Sequence, residues 1–214
     1  MDNSIQLLCE IVILVMTIMM NLTKKNMTVV FLYVAQSLAL VVLLGIESFQ
    51  QHSMSLYVLV LSILVVKVLV APRIFISHIR SSKETSASEP YVNQPMTLLI
   101  LMLLVVFTRS GVFPNTIVGL QLFSPALLLI DSALMSFFVI INHRGILLQV
   151  IGVLSLENSI FAAGHFLDPR MSGVLELSIL FDVFFWIVIA GIFIHMIYRH
   201  NRSLDVSNLR RLKQ

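Results

Sequence analysis

The sequence predicts an all-α, polytopic membrane protein with about seven transmembrane helices. Two observations support this prediction. Of the 214 residues, 58% are hydrophobic and only 12% are charged, and the mean hydropathy is +0.96. The apolar residues also come in runs of about 20, which is the length that a helix rising about 1.5 Å per residue needs to cross about 30 Å of hydrocarbon.

The apolar runs place the predicted helices along the chain, with ends defined to within about two to four residues. They are Ser4 to Leu22, Thr28 to Phe49, Ser53 to Ile79, Gln94 to Val112, Phe123 to Ile141, Ile146 to Phe166 and Gly173 to Tyr198. The third helix either continues through Pro72, or kinks or ends there. The fourth has a short apolar run that stops at Arg109, which must snorkel to the interface if this segment spans the membrane. The next piece, Gly111 to Leu122, contains Pro114 and is predicted to be a surface link.

The pattern divides the chain into four parts. Residues 1-80 form an N-terminal three-helix part, residues 81-122 hold a cytoplasmic loop, the fourth helix and the outer link, residues 123-199 form a second three-helix unit, and residues 200-214 form a cytoplasmic tail. The loop, Ser81 to Gln94, is the longest polar stretch of the chain. The charged residues within the helices fall in different places on its two sides, so the sequence does not support an internal duplication.

The basic residues provide an independent test of this topology, because short loops rich in lysine and arginine tend to remain in the cytoplasm. Seven spans put most of the 14 lysines and arginines on one side. These are Lys24, Lys25, Arg73, Arg80, Lys83, Arg144, Arg199, Arg202, Arg210, Arg211 and Lys213. The other side holds Arg109 and Arg170, while Lys67 lies within a helix. This asymmetry predicts an outer N-terminus and a cytoplasmic C-terminus, and it accounts for the pI near 9.2 without a nucleic-acid partner.

Two carboxylates deep in the predicted spans are the main candidates for function. Glu157 lies about 11 residues, or about 17 Å, from the cytoplasmic end of helix six, and Asp182 about 9 residues, or about 14 Å, from the outer end of helix seven. The turn between these helices is short, so we expect antiparallel neighbours with both acids near mid-membrane. Such a pair could pass a proton. The alternative is that each is a protonated acid that only hydrogen-bonds a neighbouring helix.

Lys67 is the third candidate, and its depth depends on where the third helix ends. If the helix continues to Ile79, Lys67 is central and needs a carboxylate or water partner, which suits a proton carrier. If the span stops at Pro72, Lys67 can snorkel to the interface. A structural ion pair is a further alternative, and the sequence favours neither function nor structure.

Other polar residues in the spans are secondary candidates. Asp131 in helix five and Glu10 in helix one lie about a third of the way in from the outer side, where water can reach, so a solvated or packing role is favoured over transport. Glu176 lies about 120° round the helix from Asp182 and is interpreted as interfacial or as lining an outer vestibule. His165 and His195 lie near helix ends, where a solvated histidine is favoured over a proton relay.

The sequence also argues against a self-contained enzyme. Cys9 is the only cysteine, so no internal disulfide and no cysteine-rich metal or iron–sulfur site can form within the chain. It has no His-x-x-x-His pair, Gly-rich phosphate loop or nucleophile elbow. We therefore predict no cofactor, metal or catalytic residue in this chain. Gln36, in the second helix, is expected to hydrogen-bond across a helix pair.

Five features of the chain point to a known family. They are Tyr33-Val34-Ala35-Gln36-Ser37-Leu38, Lys67-Val68-Leu69-Val70-Ala71-Pro72, Leu156-Glu157-Asn158, the Glu176-to-Asp182 spacing, and Leu204-Asp205-Val206-Ser207-Asn208-Leu209. The order and spacing of these features extend over nearly the whole chain, and by them the chain resembles the hydrogenase-4 component E family. Members of that family are membrane subunits of formate hydrogenlyase-type and related group 4 hydrogenase complexes.

The last three predicted helices, Phe123 to Tyr198, are also similar to the K subunit of bacterial complex I and to the C subunit of multi-subunit Na+/H+ antiporters. In the complex I subunit, one intramembrane acid in the second helix and one in the third belong to a proton path. By this resemblance, the two acids correspond to Glu157 and Asp182 of this chain. The second acid is an aspartate in this chain and a glutamate in the complex I subunit. Lys67 lies outside that region and is supported only by the component E resemblance.

These resemblances imply a non-redox subunit of a complex I-like membrane-bound hydrogenase or related oxidoreductase, in the inner (cytoplasmic) membrane, with buried carboxylates in a proton-translocation path. They imply lipid and other membrane subunits, including antiporter-like ones, as partners. The alternatives are a structural assembly subunit of the same complex or a subunit of a cation/proton antiporter. A self-sufficient transporter is disfavoured, because the sequence has no inverted repeat and no matched pair of broken helices.

Overall fold

Helices dominate the described part of the chain. The structure is a computed structural model, and it describes residues 2–51, 54–82, 90–110 and 125–167. The helices are α1 (Asp2–Leu22), α2 (Asn26–Gln51), α3 (Met54–Ile63), a π-helix (Leu64–Val70), α4 (Ala71–Ser82), α5 (Gln94–Arg109), α6 (Pro125–Asn142) and α7 (Ile146–Leu167). All of them belong to one unit, Met1–Pro169.

Among the described residues, four helical stretches are long and apolar enough to cross a membrane. They are Ser4–Leu22, Asn26–Gln50, Leu56–Ser77 and Ile146–Gly164, and two shorter apolar helices, Gln94–Arg109 and Ala126–Asn142, accompany them. The predicted all-helical, membrane-type character is therefore confirmed. The total of seven spans, the orientation and the four-part division stay predictions, because the predicted helix Gly173 to Tyr198, the tail and the outer link lie outside the described residues.

The third predicted helix passes through Pro72 and reaches Ser82. Just before the proline, the chain forms a π-helix, in which the backbone N–H of Ala71 donates to the carbonyl of Val66, five residues back. Proline lacks an N–H group and its ring clashes with the carbonyl four residues back, so a wider turn at this point lets the helix continue. Lys67 consequently lies at the middle of the Leu56–Ser77 span.

Among the described helices, α6 and α7 form the most extensive contact, followed by the contacts of α1 with α2 and of α1 with α6. The α6–α7 pair is antiparallel, because Ser132 is hydrogen-bonded to Ser159, and Ser136, one turn further along α6, to Ser155, each at 2.8 Å. Small residues on both helices allow this close approach.

The turn between α6 and α7 is joined to the segment that precedes α5. The backbone N–H of Tyr91 donates to the carbonyl of Asn142 at 2.8 Å, and the N–H of Val92 to Asn142 Oδ1 at 3.0 Å. The guanidinium of Arg144 lies 4.5 Å from the centroid of the Tyr91 ring. Gln94, the first residue of α5, also donates to the carbonyl of Leu22 at 3.0 Å. The end of α1, the start of α5 and the end of α6 thus meet on one side of the described helices.

We expect His143 to make this turn sensitive to acid. The side chain is buried, and Nδ1 lies 3.1 Å from the carbonyl oxygen of Val139. Burial lowers the pKa of His143 below its ordinary 6.5, although the hydrogen bond to Val139 partly opposes this shift. The unfolded chain then binds the proton more readily than the folded one. We expect the contribution of His143 to stability to be complete above about pH 6.5 and to be lost as the pH falls below that value.

This expectation can be measured as the free energy of unfolding of the purified full chain in detergent, across pH 7.5 to 5. The variant His143→Gln should show a smaller decrease over that range than the wild type. Equal decreases in the two proteins would assign the acid sensitivity to other groups.

Candidate functional site

A fully buried ion pair lies at the centre of the described helices. Lys67 Nζ is 3.1 Å from Glu157 Oε1, and the side chains of the two residues are 0% and 4% exposed. The same ammonium group donates a hydrogen bond of 3.0 Å to Asn158 Oδ1. It also lies 5.0 Å from the centroid of the Phe161 ring, within the range of a cation–π interaction.

The local structure of both helices explains why these groups converge. Glu157 and Phe161 are four residues apart on α7 and therefore share a face, with Asn158 beside them. On the opposite side, Lys67 is the central residue of the π-helix, a wide helical form that is frequent at functional sites. An isolated ammonium group in hydrocarbon costs at least about 2.5–3.5 kcal/mol, and the three partners on α7 offset part of this cost for Lys67.

The amide of Asn158 extends the site to a third helix. Its Nδ2 donates to Ser37 Oγ at 3.0 Å, while its Oδ1 accepts from Lys67. Both ends of the amide are therefore engaged, and the orientation of the side chain is determined. The ion pair is thus tied to α2 as well as to the π-helix and α7.

A chain of buried hydroxyl and amide groups lies beside the ion pair. Gln36 Nε2 donates to Thr17 Oγ1 at 3.0 Å, and Thr17 Oγ1 lies 2.8 Å from Ser132 Oγ. Ser132 Oγ in turn lies 2.8 Å from Ser159 Oγ. Together with Lys67, Glu157, Asn158 and Ser37, these four residues are called the polar layer below. It links α1, α2, the π-helix, α6 and α7, and it confirms the expectation that Gln36 bonds across a helix pair.

A second ion pair joins α5 to α6. Arg109 Nη2 lies 3.0 Å from Asp131 Oδ2, and the hydroxyl of Thr108 donates to the same carboxylate. The side chain of Asp131 is 1% exposed, whereas that of Arg109 is 24% exposed. Arg109 ends α5, where a cation also complements the helix dipole. Arg109, which was predicted to snorkel to the interface, therefore forms an ion pair with a buried carboxylate of the neighbouring helix.

Of the residues predicted from the sequence, the structure brings Glu157 and Lys67 together. Lys67 lacked an identified partner at the level of sequence, and that partner is Glu157. Asp182, Glu176 and His195 lie outside the described residues, as does the side chain of His165, so the expected pairing of Glu157 with Asp182 stays a prediction. Asp131 and Glu10 are both buried, although water was expected to reach them.

The polar partners of the site were missed by sequence reasoning. Thr17, Ser37, Ser132 and Ser159 are ordinary residues within apolar runs, where a hydroxyl group can also bond a carbonyl of its own helix. Thr17 and Ser159 do so, with the carbonyls of Ile13 and Ser155. A usable signal was the four-residue spacing of serines on both α6 and α7, which places hydroxyl groups on one face of each helix. The spacing does not say which helices face each other.

Comparisons of the chain with protein family models, with curated proteins and with solved structures give no match.

Proposed function

We propose that the chain is a non-redox membrane subunit of a complex I-like membrane-bound hydrogenase or related oxidoreductase, and that it contributes buried charged groups to a proton-translocation path. On this proposal it lies in the inner (cytoplasmic) membrane beside other membrane subunits, including antiporter-like ones, and redox chemistry takes place elsewhere in the complex. The observation that supports it is the Lys67–Glu157 ion pair, enclosed at mid-span by apolar helices.

The chemistry of this pair suits proton transfer. With the proton on Lys67, both groups are charged, and with the proton on Glu157, both are neutral. Moving one proton across 3.1 Å therefore interconverts the two states without changing the net charge of the site. Burial disfavours the charged state and the mutual attraction of the charges favours it, so a shift of charge in a neighbouring subunit can change which state is stable. Asp182 is proposed as the next acid on the path.

A structural assembly role is the second candidate, and the polar layer is the observation that favours it. Hydrogen bonds among Gln36, Thr17, Ser132 and Ser159 connect helices without any group that must titrate. Polar side chains of this kind hold transmembrane helices together. When a charge is removed, the proton-path role predicts that proton translocation is lost first, whereas the assembly role predicts that the association of the subunits is lost first. A subunit of a cation/proton antiporter is the third candidate.

The test is Glu157→Gln in the intact complex that carries this chain. We expect proton translocation to be lost while the subunits still co-purify in wild-type proportion. Glu10→Gln is the matched control, because Glu10 is also a buried acid in a span but has no ion-pair partner among the described residues. Unchanged translocation in Glu157→Gln would overturn the proton-path role, and loss of the partner subunits would support the assembly role.

A further inference from the structure

Helix α4 carries basic side chains on its exposed side. Arg73, Ser77 and Arg80 are all exposed, and they are spaced by four and three residues, so they lie one above another on one face of the helix. The opposite face holds Phe75 and Ile79, which are buried. Helix α4 therefore packs with its apolar face inwards and presents Arg73, Ser77 and Arg80, called the basic stripe below, to its surroundings.

The basic stripe begins inside an apolar span and not beyond it. The span is Leu56–Ser77, so Arg73 lies four residues, or about 6 Å of helical rise, before its end. Arg80 lies three residues beyond the end. Basic residues that only set the topology of a membrane protein lie in its loops. The position of Arg73 therefore calls for a second explanation, because a charged group at this depth either reaches to the interface or finds a partner of opposite charge.

Aliphatic side chains continue the stripe towards the middle of the span. Leu69 and Val65 precede Arg73 by four and eight residues, about one and two turns, and their side chains are 45% and 42% exposed. The exposed side of this helical path thus changes from aliphatic to basic along its length. This order matches a phospholipid, because its acyl chains lie in the hydrocarbon core and its phosphate lies in the headgroup region.

No described residue neutralises the two arginines of the stripe. The two ion pairs of the described residues are Lys67 with Glu157 and Arg109 with Asp131. Neither Arg73 nor Arg80 takes part in an ion pair or a side-chain hydrogen bond with any of the described residues. Both guanidinium groups are therefore available to a ligand from outside the chain.

The end of α4 lies beside the start of α2, where two further cations are exposed. Helix α2 and the path from α3 to α4 are consecutive, in contact and separated by residues 52–53 alone, so they are antiparallel. Lys24 and Lys25, just before α2, are therefore at the same end as Arg80, and both are exposed. The described residues 20–28 and 77–82 include no aspartate or glutamate. This end consequently has a positive potential that attracts anionic headgroups.

We propose that the basic stripe binds the phosphate of an anionic phospholipid whose acyl chains lie along Leu69 and Val65. Guanidinium groups are planar forks that bind phosphate through paired hydrogen bonds, and the hydroxyl of Ser77 can donate a further one. Arg73 and Arg80 are about 6 Å and 4.5 Å of helical rise from Ser77, so one phosphate beside Ser77 is within reach of both side chains. This inference does not depend on the proposed function, because it requires no proton movement.

The first experiment titrates the purified full chain in detergent micelles with phosphatidylglycerol, and separately with phosphatidylcholine that has the same acyl chains. Bound lipid is counted by native mass spectrometry. We expect phosphatidylglycerol to bind about tenfold more tightly or better, since two arginines meet a headgroup with net negative charge. The difference should shrink as salt is added. Equal binding of the two lipids would overturn the proposal.

Inorganic phosphate distinguishes a lipid from a free anion as the ligand. Added in excess over phosphatidylglycerol, and compared with chloride at the same ionic strength, it should not displace the lipid, because it has no acyl chains to lie along Leu69 and Val65. Displacement by inorganic phosphate would overturn the lipid assignment, because the stripe would then be a site for soluble anions.

The site is tested with the double variant Arg73→Gln, Arg80→Gln. The matched control is Lys24→Gln, Lys25→Gln, which removes the same charge from the same end of the chain. We expect the arginine variant to lose the preference for phosphatidylglycerol and the lysine variant to retain most of it. Equal losses would mean that the lipid responds only to the overall charge of this end, and the proposed site would be wrong.

A conservative variant guards against a folding defect. The variant Arg73→Lys, Arg80→Lys keeps both charges but removes the planar forks, so we expect binding weaker than in the wild type and tighter than in the glutamine variant. The intact complex provides a last comparison. If the glutamine variant keeps the lipid preference but releases a neighbouring subunit, the stripe is a protein interface and the lipid proposal is overturned.

Discussion

Replacing Glu157 alone is expected to destabilise the protein far more than replacing Glu157 and Lys67 together. Glu157→Gln leaves the ammonium of Lys67 in the apolar interior without the carboxylate 3.1 Å away, and breaking a buried ion pair in this way costs about 3–5 kcal/mol. In the double variant Lys67→Met, Glu157→Met, two apolar side chains of similar length fill the same space. We expect it to recover most of the lost stability, because replacing both partners of a buried pair is often neutral.

The measurement is reversible unfolding of the full chain in mixed detergent micelles, with Glu10→Gln as the control for removing a buried carboxylate. The double variant should fold and still fail to restore proton translocation to the complex. Stability that stays low in the double variant would mean that the cost of Glu157→Gln comes from packing on α7. Translocation that survives in a stable double variant would mean that the pair is structural.

Gly152→Ala is expected to lower the free energy of unfolding by about 1–3 kcal/mol, the usual cost of overpacking a well-packed contact. A Cβ atom at Gly152 would lie 2.8 Å from Ile140 Cγ1 and 3.2 Å from Val139 Cγ1. It would also lie 3.3 Å from the backbone nitrogen of Ile140. Both side chains are β-branched and stiff at χ1, so relief requires α6 and α7 to separate.

Gly45→Ala is the control for this substitution, because a Cβ atom at Gly45 meets nothing within 4 Å. It should leave stability unchanged or raise it slightly, since alanine favours the helix over glycine by up to about 1 kcal/mol. Comparing the two variants in the same unfolding assay isolates the helix contact from helix propensity. Equal stability of the two variants would show that the α6–α7 contact tolerates an added methyl group.

Much of the helical framework follows from hydropathy alone. The predicted third helix, Ser53 to Ile79, corresponds to a continuous helical path, because an apolar run of that length satisfies its backbone only as a helix in lipid. The role of Pro72 could not be predicted, because whether proline ends a helix or is absorbed depends on the surrounding helices. Here a π-helix absorbs it and places Lys67 at mid-span.

The candidate site could also be predicted from the sequence only in part. Glu157 and Lys67 could each be identified from the sequence, because an ionisable group within an apolar run is costly wherever it lies. Their pairing across 90 positions of sequence was not visible, and neither was the pairing of Arg109 with Asp131, since the hydrophobic pattern of a helix does not specify its neighbour. The hydroxyl groups of Thr17 and Ser132 were less visible still, because an unbonded serine or threonine costs much less in a helix than a buried charge.

The sequence by itself therefore determined that the chain is an apolar helical protein of membrane type and that a few ionisable residues lie inside its spans. The reason is that the transfer of side chains and backbone from water to hydrocarbon depends on local composition and length. Only the tertiary structure decided that Lys67 meets Glu157, that Arg109 holds Asp131, and that serine hydroxyls of α6 and α7 bond to each other. Those contacts depend on which helix faces are adjacent, and adjacency is set by close packing at positions such as Gly152.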